Sequence, residues 1–380
     1  MSIFNMVYGK NQQYKTFTIT REEKSDMSSW WTYSDDASGL SAGSTAFDEF
    51  FWYSAVRLSD AWIKTAEVFQ STPWQLDFSQ LWTLTSWDNV MIKFPILWIK
   101  MSKSWSTVTL SITDNPRAGN KWFKYYAHTK TWTLIDPWTP VNNIYIWAFK
   151  ASNNGSNVLK SWSWKTPEVS QTQGTFCSRA KANGSGYNII WFYQRQFVNA
   201  LYMMKYGNPN SQNVVWAWYT RWSSVPNTWW TTSQILATYW TSSETQQMKL
   251  FWLEDWWWSV HEWIWWGMTD NDRQLLTSFS WWSGTITTSD YPLATWTTLP
   301  QSVWNISAIA WNNYSMFAPT SRSWYNYSIY YCDYMDLYAN RLITCGGNKW
   351  DNVWAWAFRF TMNTDNTSSG NDIGSRLMFF

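Results

Sequence analysis

Glycine is scarce in this chain, with 15 in 380 residues, about 4% where roughly 7% is usual. The same sequence carries 38 tryptophans. Many of them stand where a turn wants a residue with free backbone angles, as in Pro73-Trp74, Ser86-Trp87-Asp88-Asn89, Ser104-Trp105-Ser106, Asp136-Pro137-Trp138 and Asn227-Thr228-Trp229-Trp230-Thr231. Glycine reaches positive φ at no steric cost, whereas a large aromatic there is an outlier. Nor do the tryptophans follow the strand or helix repeat that would give them a common buried face. These contexts predict that most printed tryptophans are glycine in the living organism, encoded by UGA and read here with a table that assigns UGA to tryptophan. Full replacement would bring glycine to about 14%, which suits a fold with many tight turns. The competing reading is a truly Trp-rich protein with exposed indoles for sugars or membranes. In "LFWLEDWWWSVHEWIWWGMTD" (250–270), Trp256, Trp257 and Trp263 are expected to be genuine under either reading.

Charge is also sparse. Charged residues make up 14% of the chain and the net charge is +2, so there is no basic field for nucleic acid. No run of 18 or more apolar residues occurs, so no membrane insertion is expected. The start, "MSIFNMVYGKNQQYKTF", lacks the charged region and apolar core of a standard signal peptide. The three cysteines, Cys177, Cys332 and Cys345, share no CxxC spacing, which argues against a zinc site and a full disulfide framework while leaving a Cys332–Cys345 bridge open. His128 and His261 are the only histidines.

Organisation along the chain reads as three parts. Residues 1–40 are polar and irregular and read as an N-terminal arm. Residues 41–150 carry short β-like runs at 89–101, 106–112, 123–128 and 143–149, a β-rich tail or attachment domain. Residues 151–380 begin with a Ser/Asn-rich linker and contain the clearest helix, 187–210, in which Ile189, Phe192, Tyr193, Gln196, Phe197, Ala200, Leu201 and Met204 recur at three- and four-residue steps before a Gly207-Asn208-Pro209 stop. One helix among many short strands makes the expected class α+β.

Catalytic motifs are missing. There is no nucleophile elbow, zinc helix, P-loop or dinucleotide fingerprint, and reading Trp as Gly still yields no phosphate loop. His261 beside Glu262 could be drawn as a base with its orienter, but neighbouring residues point in different directions, so a structural histidine is the better reading. Asp270-Asn271-Asp272 offers oxygen ligands for calcium but lacks the spaced glycine and distal glutamate of an EF-hand, so it reads as a polar loop. The unusual region is 312–356, with seven tyrosines in 314–338 among Asn, Ser and Asp. Tyrosine gives rigid contact area with a polar tip and Ser, Asn and Gly adapt around it, which is paratope chemistry. The plainer reading is a tyrosine-rich structural loop.

Several stretches, taken in order, resemble one family. With glycine at most Trp positions, "LFWLEDWWWSVHEWIWW" (250–266), "YMMKYGNPNSQNVVWAW" (202–218), "RLITCGGNKWDNVWAWAFRF" (341–360) and "SSGNDIGSRLMF" (368–379) look like the C-type lectin fold of hypervariable phage tail and surface proteins, the targets of diversity-generating retroelements. Upstream, "TYSDDASGL" (32–40), "DNVMIKFP" (88–95), "DNPRAGNKWFKYYA" (114–127) and residues 145–170 resemble the N-terminal half of the same proteins. The resemblance implies a C-type lectin fold C-terminal domain, 151–380, preceded by a β-rich N-terminal domain. It further implies a non-enzymatic protein without metal or cofactor, placed on a virion tail or cell surface, binding a cell-surface receptor of protein or glycan nature, often as a homo-oligomer. Adenine-directed mutation of Asn codons yields Asn, Tyr, Ser and Asp, the mix found at 325–334 and 348–352. On that basis the contacts fall at Tyr325, Asn326, Tyr327, Tyr330, Tyr331, Asp333, Tyr334, Asn348, Lys349, Asp351 and Asn352. A structural tail-fibre or surface component is the second expectation. A formylglycine-generating type of enzyme, whose fold is similar, is the third, and its reactive cysteines are not carried onto Cys332 or Cys345.

Overall fold

A computed structural model describes residues 13–23, 31–59, 64–69, 88–128, 141–184, 186–211, 214, 248–257, 259–277, 293–323, 334–348 and 357–379. In chain order the first half holds β1 (Thr16–Glu22), β2 (Thr32–Asp35), α1 (Ala46–Phe51), β3 (Ser54–Ser59), β4 (Lys64–Phe69), β5 (Asp88–Pro95), β6 (Trp98–Ser104), β7 (Thr107–Thr113), β8 (Asn143–Trp147), β9 (Ser152–Asn153), β10 (Leu159–Lys160), α2 (Gln173–Lys181), β11 (Tyr187–Ile189) and α3 (Phe192–Tyr206). From residue 248 on, the elements among the described residues are strands: β12 (Lys249–Leu250), β13 (Leu253–Glu254), β14 (His261–Thr269), β15 (Gln274–Thr277), β16 (Leu293–Thr298), β17 (Ser302–Ile309), β18 (Pro319–Ser323), β19 (Tyr334–Leu337), β20 (Leu342–Cys345), β21 (Phe360–Thr364), β22 (Ile373–Gly374) and β23 (Leu377–Phe379).

Three sheets dominate. Their orders are β2-β1-β7-β6, β11-β23-β8-β5-β3-β4, and β16-β15-β14-β20-β21-β19-β17-β18, with β22 alongside β14. Pairing is antiparallel apart from β19 with β21 and β14 with β22. The middle sheet joins strands from both sides of residue 150, since β23 lies between β11 and β8. β1 and β2, in the stretch expected to be an arm, pair in the first sheet, where Phe17 and Ile19 are buried.

Helix α3 is the hub of the core. All fifteen of its residues are buried, and it packs against β14 of the large sheet and β1 and β7 of the first. It begins where Gln194 Oε1 accepts the Trp191 N–H at 3.3 Å, half of a capping box. It ends at Gly207, left-handed at φ 57°, whose N–H donates to the Met203 carbonyl. Near that end Lys205 Nζ donates to both oxygens of buried Asp48 on α1, at 2.7 and 2.6 Å, and the Tyr53 hydroxyl donates to the same carboxylate. A fully buried helix presents no polar face to water, so its charged residues must find partners inside.

The expected α+β class with a C-type lectin fold domain is corrected here. Among the described residues strand accounts for 41% and helix for 16%, with three α-helices, so the fold is β-rich, without a defined C-type lectin domain. The physical reason is that the 187–210 signal, strong because it is periodic, contributes a single fifteen-residue helix preceded by a strand at Tyr187–Ile189. Short strands embedded in Ser/Thr-rich sequence leave weaker signals and make up most of the regular secondary structure among the described residues. The run expected at 123–128 holds a 3₁₀ turn, Tyr126–His128, and pairs with β6 at the isolated Ile99–Lys124 bridge. Among the described residues, no helix is long and apolar enough to cross a membrane.

Candidate functional site

The most concentrated chemistry among the described residues is a buried ionic cluster around Glu262 of β14. Glu262 accepts from Lys150 Nζ at 2.8 Å and Arg376 Nε at 3.0 Å on one oxygen, and from Arg195 Nη1 at 2.6 Å on the other. All four residues are buried. Lys150 lies between β8 and β9, Arg195 on α3, and Arg376 between β22 and β23, so one carboxylate ties together four distant parts of the chain. Arg376 also donates to the carbonyls of Trp147 and Ala148 through Nη1, at 2.7 and 2.8 Å, and to the Glu254 carbonyl through Nη2. Arg195 stacks on the Trp256 ring with its Cζ 3.9 Å from the centroid. Gly346, at φ +87°, leaves room for this stack, since a Cβ there would meet Arg195 Nη2 and the Trp256 carbonyl at 3.2 Å.

Burial alone would raise the Glu262 carboxyl, but Lys150, Arg376 and Arg195 outweigh it and hold it down at about 2. Burial lowers the Lys150 ammonium to about 8, against the pull of Glu262. Three cations converge on one buried anion, and the chemistry of the cluster is cross-linking of the fold. Sequence reasoning weighed Glu262 only as a partner for His261. The available signal was a charge inside an apolar run, Glu262 in "VHEWIW" and Arg376 in "SRLMFF".

His261 is buried beside this cluster, and His128 is buried edge-on to Phe197 with ring centroids 5.0 Å apart. Burial holds His128 down at about 3, with backbone contacts at Phe94 and Pro95 opposing it. The unfolded chain therefore binds a proton near 6.5 that the folded one refuses until about 3, so stability falls as pH drops through that window. His128→Phe is expected to flatten the loss, read as a smaller drop in urea midpoint between pH 7 and pH 4 than in the parent chain. Asp270 behaves as turn chemistry, its Oδ1 accepting the N–H groups of Asp272 and Gln274.

Of the contact residues expected from sequence, Tyr325, Asn326, Tyr327, Tyr330, Tyr331, Asp333, Lys349, Asp351 and Asn352 lie outside the described residues. Tyr334 opens β19. Asn348 is buried and donates from Nδ2 to Asp372 Oδ2 at 2.5 Å, which ties it to the loop before β22. The strands bordering the two stretches share one register. Ser323, ending β18, and Tyr334, opening β19, both pair with Asn305 of β17. One residue on, Met335 pairs with Phe360, which opens β21 and pairs in turn with Cys345, the end of β20. The strand ends that flank 324–333 and 349–356 thus fall on one line across five adjacent strands. At the other end of these strands sit described turns with exposed Tyr338 and Asn340, the latter donating from Nδ2 to Asn271 Oδ1.

No family model and no curated protein matches the chain.

Proposed function

We propose that this is a non-enzymatic binding protein whose large sheet presents two segments, the tyrosine-rich 324–333 and 349–356 with Lys349, Asp351 and Asn352, to a receptor on a target cell. The observation that carries the reading is the shared register at Ser323, Asn305, Tyr334, Phe360 and Cys345, which brings the borders of both segments to one end of the sheet. The segments supply the expected contacts Tyr325, Asn326, Tyr327, Tyr330, Tyr331, Asp333, Lys349, Asp351 and Asn352. A rigid support suits such a surface, because a contact set held by packed strands loses less entropy on binding than one on free loops. The buried cross-links around Glu262 and Asp48 provide that support. The composition of the two segments fits diversification at adenine-rich codons, the property of retroelement-diversified tail and surface proteins, whose placement on a virion or cell surface and oligomeric avidity belong to the same proposal.

Tyr330→Ala combined with Tyr331→Ala tests it. The expected result is loss of binding of at least tenfold to cells of the native community or to a glycan array, with an unchanged thermal melt. Unchanged binding overturns the reading, and loss of assembly with the melt intact favours a structural tail component. Sequencing of the native population gives a second readout, in which substitutions concentrate in the two segments and spare β17 to β21.

A further inference from the structure

Five described tryptophans have left-handed backbone: Trp52 (φ 45°), Trp105 (56°), Trp122 (68°), Trp164 (62°) and Trp252 (63°). The exposed tryptophan side chains among the described residues are four of these same five, with Trp105 95% exposed, Trp122 76%, Trp52 65% and Trp164 56%. A ring selected for burial or for ligand contact has no reason to coincide with positive φ. Glycine does, because it alone adopts that region without a Cβ penalty.

Four of the five, all but Trp164, also occupy a recognisable glycine role. Trp52 ends α1 in left-handed geometry and its N–H donates to the Asp48 carbonyl. Trp122 ends the 3₁₀ turn Ala118–Lys121 in the same way, donating to the Gly119 carbonyl. α3, which ends with that geometry too, has a printed glycine there, Gly207. Trp105 is the first of two loop residues between the paired Ser104 and Thr107, with φ positive at that residue and not at Ser106. That pattern belongs to a type II′ hairpin, whose first loop position is the glycine position. Trp252 is the second of two positive-φ loop residues, after Phe251, between paired Leu250 and Leu253. This is the type I′ arrangement, in which glycine dominates the second position.

Other tryptophans have the opposite character. Trp256 is buried without positive φ, donates from Nε1 to Asn199 Oδ1 at 3.0 Å, and carries the Arg195 stack. Trp263 is buried on β14 and donates from Nε1 to the Gln171 carbonyl at 3.2 Å. A buried indole N–H with an acceptor marks a site shaped for tryptophan. Trp257, also buried, packs edge-on to Tyr202, and among the described residues its N–H finds no acceptor.

We infer that Trp52, Trp105, Trp122, Trp164 and Trp252 are glycine in the polypeptide as it is made in its native cell, inserted by a glycine-charged tRNA that reads UGA, whereas Trp256 and Trp263 are tryptophan. The inference concerns the scaffold and stands independently of the binding proposal. It assigns the decoding residue by residue, from backbone geometry and indole hydrogen bonding, rather than from composition.

Peptide mass spectrometry of the protein purified from its native source tests the assignment directly. The expected peptides carry glycine at residues 52, 105, 122, 164 and 252 and tryptophan at residues 256 and 263. Tryptophan at any two of the first five positions overturns the inference, as does glycine at both of the last two. A recombinant pair supplies an independent check: the chain as printed and the same chain with glycine at the five positions. The five-glycine chain is expected to melt higher, and an equal or lower melting temperature overturns the inference.

Discussion

Glu262→Gln is expected to cost about 3–5 kcal/mol, a large fraction of the roughly 5–15 kcal/mol that holds a typical domain folded. Glutamine keeps the shape of the side chain and removes the one negative charge on which Lys150, Arg195 and Arg376 converge. Three buried cations would then face each other without an anion, and breaking a buried pair is costly mainly because of the charge left behind. Arg195→Met is expected to cost clearly less, because Glu262 keeps two partners and the excess positive charge of the cluster falls. Urea titration of both variants measures the difference, and equal losses would contradict the assignment of Glu262 as the hub. A pH signature accompanies the mutation. With the folded carboxyl held at about 2 against an unfolded value of 4.5, the cluster stabilises fully above the higher value and loses its contribution as pH falls toward the lower. The parent chain should lose stability across that interval by a component that the glutamine variant lacks.

Glycine and tryptophan substitutions of opposite sign form the second large effect. Trp105→Gly, Trp52→Gly, Trp122→Gly and Trp164→Gly each relieve a non-glycine residue from the left-handed region, and the four positions lie in different connections between elements. Each is expected to add about 1 kcal/mol, so that the quadruple variant gains roughly 4 kcal/mol if the sites are additive. Trp105→Ala is the informative control, because it removes the exposed ring and keeps the Cβ, and should recover little of the gain. Trp256→Gly should do the reverse and cost about 3–5 kcal/mol, through a cavity under Arg195 and an Asn199 Oδ1 that loses its indole donor. Differential scanning calorimetry distinguishes the two groups. A common sign for Trp105→Gly and Trp256→Gly would remove the physical basis for sorting them.

Local pattern made some of this architecture legible and left the rest hidden. The alternation in "STVTLSI" and "NIYIWAF" located β7 and β8, and the three- and four-residue recurrence of Phe192, Tyr193, Phe197, Leu201 and Met204 located α3 with its Gly207 stop. The run 89–101 was read as one strand but divides into β5 and β6 after Pro95, which cannot donate to a ladder. Two-residue strands such as β9, β12 and β22 have no period to detect. The Glu262 cluster was invisible because its partners Arg195 and Arg376 lie 67 and 114 residues away, and no local rule connects them. Of the expected contact positions, Tyr334 and Asn348 fall among the described residues, and Asn348 has its amide bonded to Asp372 inside the protein. The turn demand for glycine, in contrast, is local, and the sequence context around Ser104-Trp105-Ser106 expressed it.

The placement of β23 bears on how the chain is made. Leu377–Phe379 occupy an interior position between β11 and β8, and Arg376 closes on the Trp147 carbonyl across a sequence separation of 229 residues. During synthesis, β8 and β5 emerge long before the strand that completes their sheet, so the nascent chain carries an open, hydrogen-bond-hungry edge for most of its translation. Chains governed by such distant pairings fold slowly and are most vulnerable to aggregation while they wait. A ribosome stalled before residue 376 would hold a chain that has α1, α2 and α3 but neither the interior strand nor the guanidinium that locks β8 to β14.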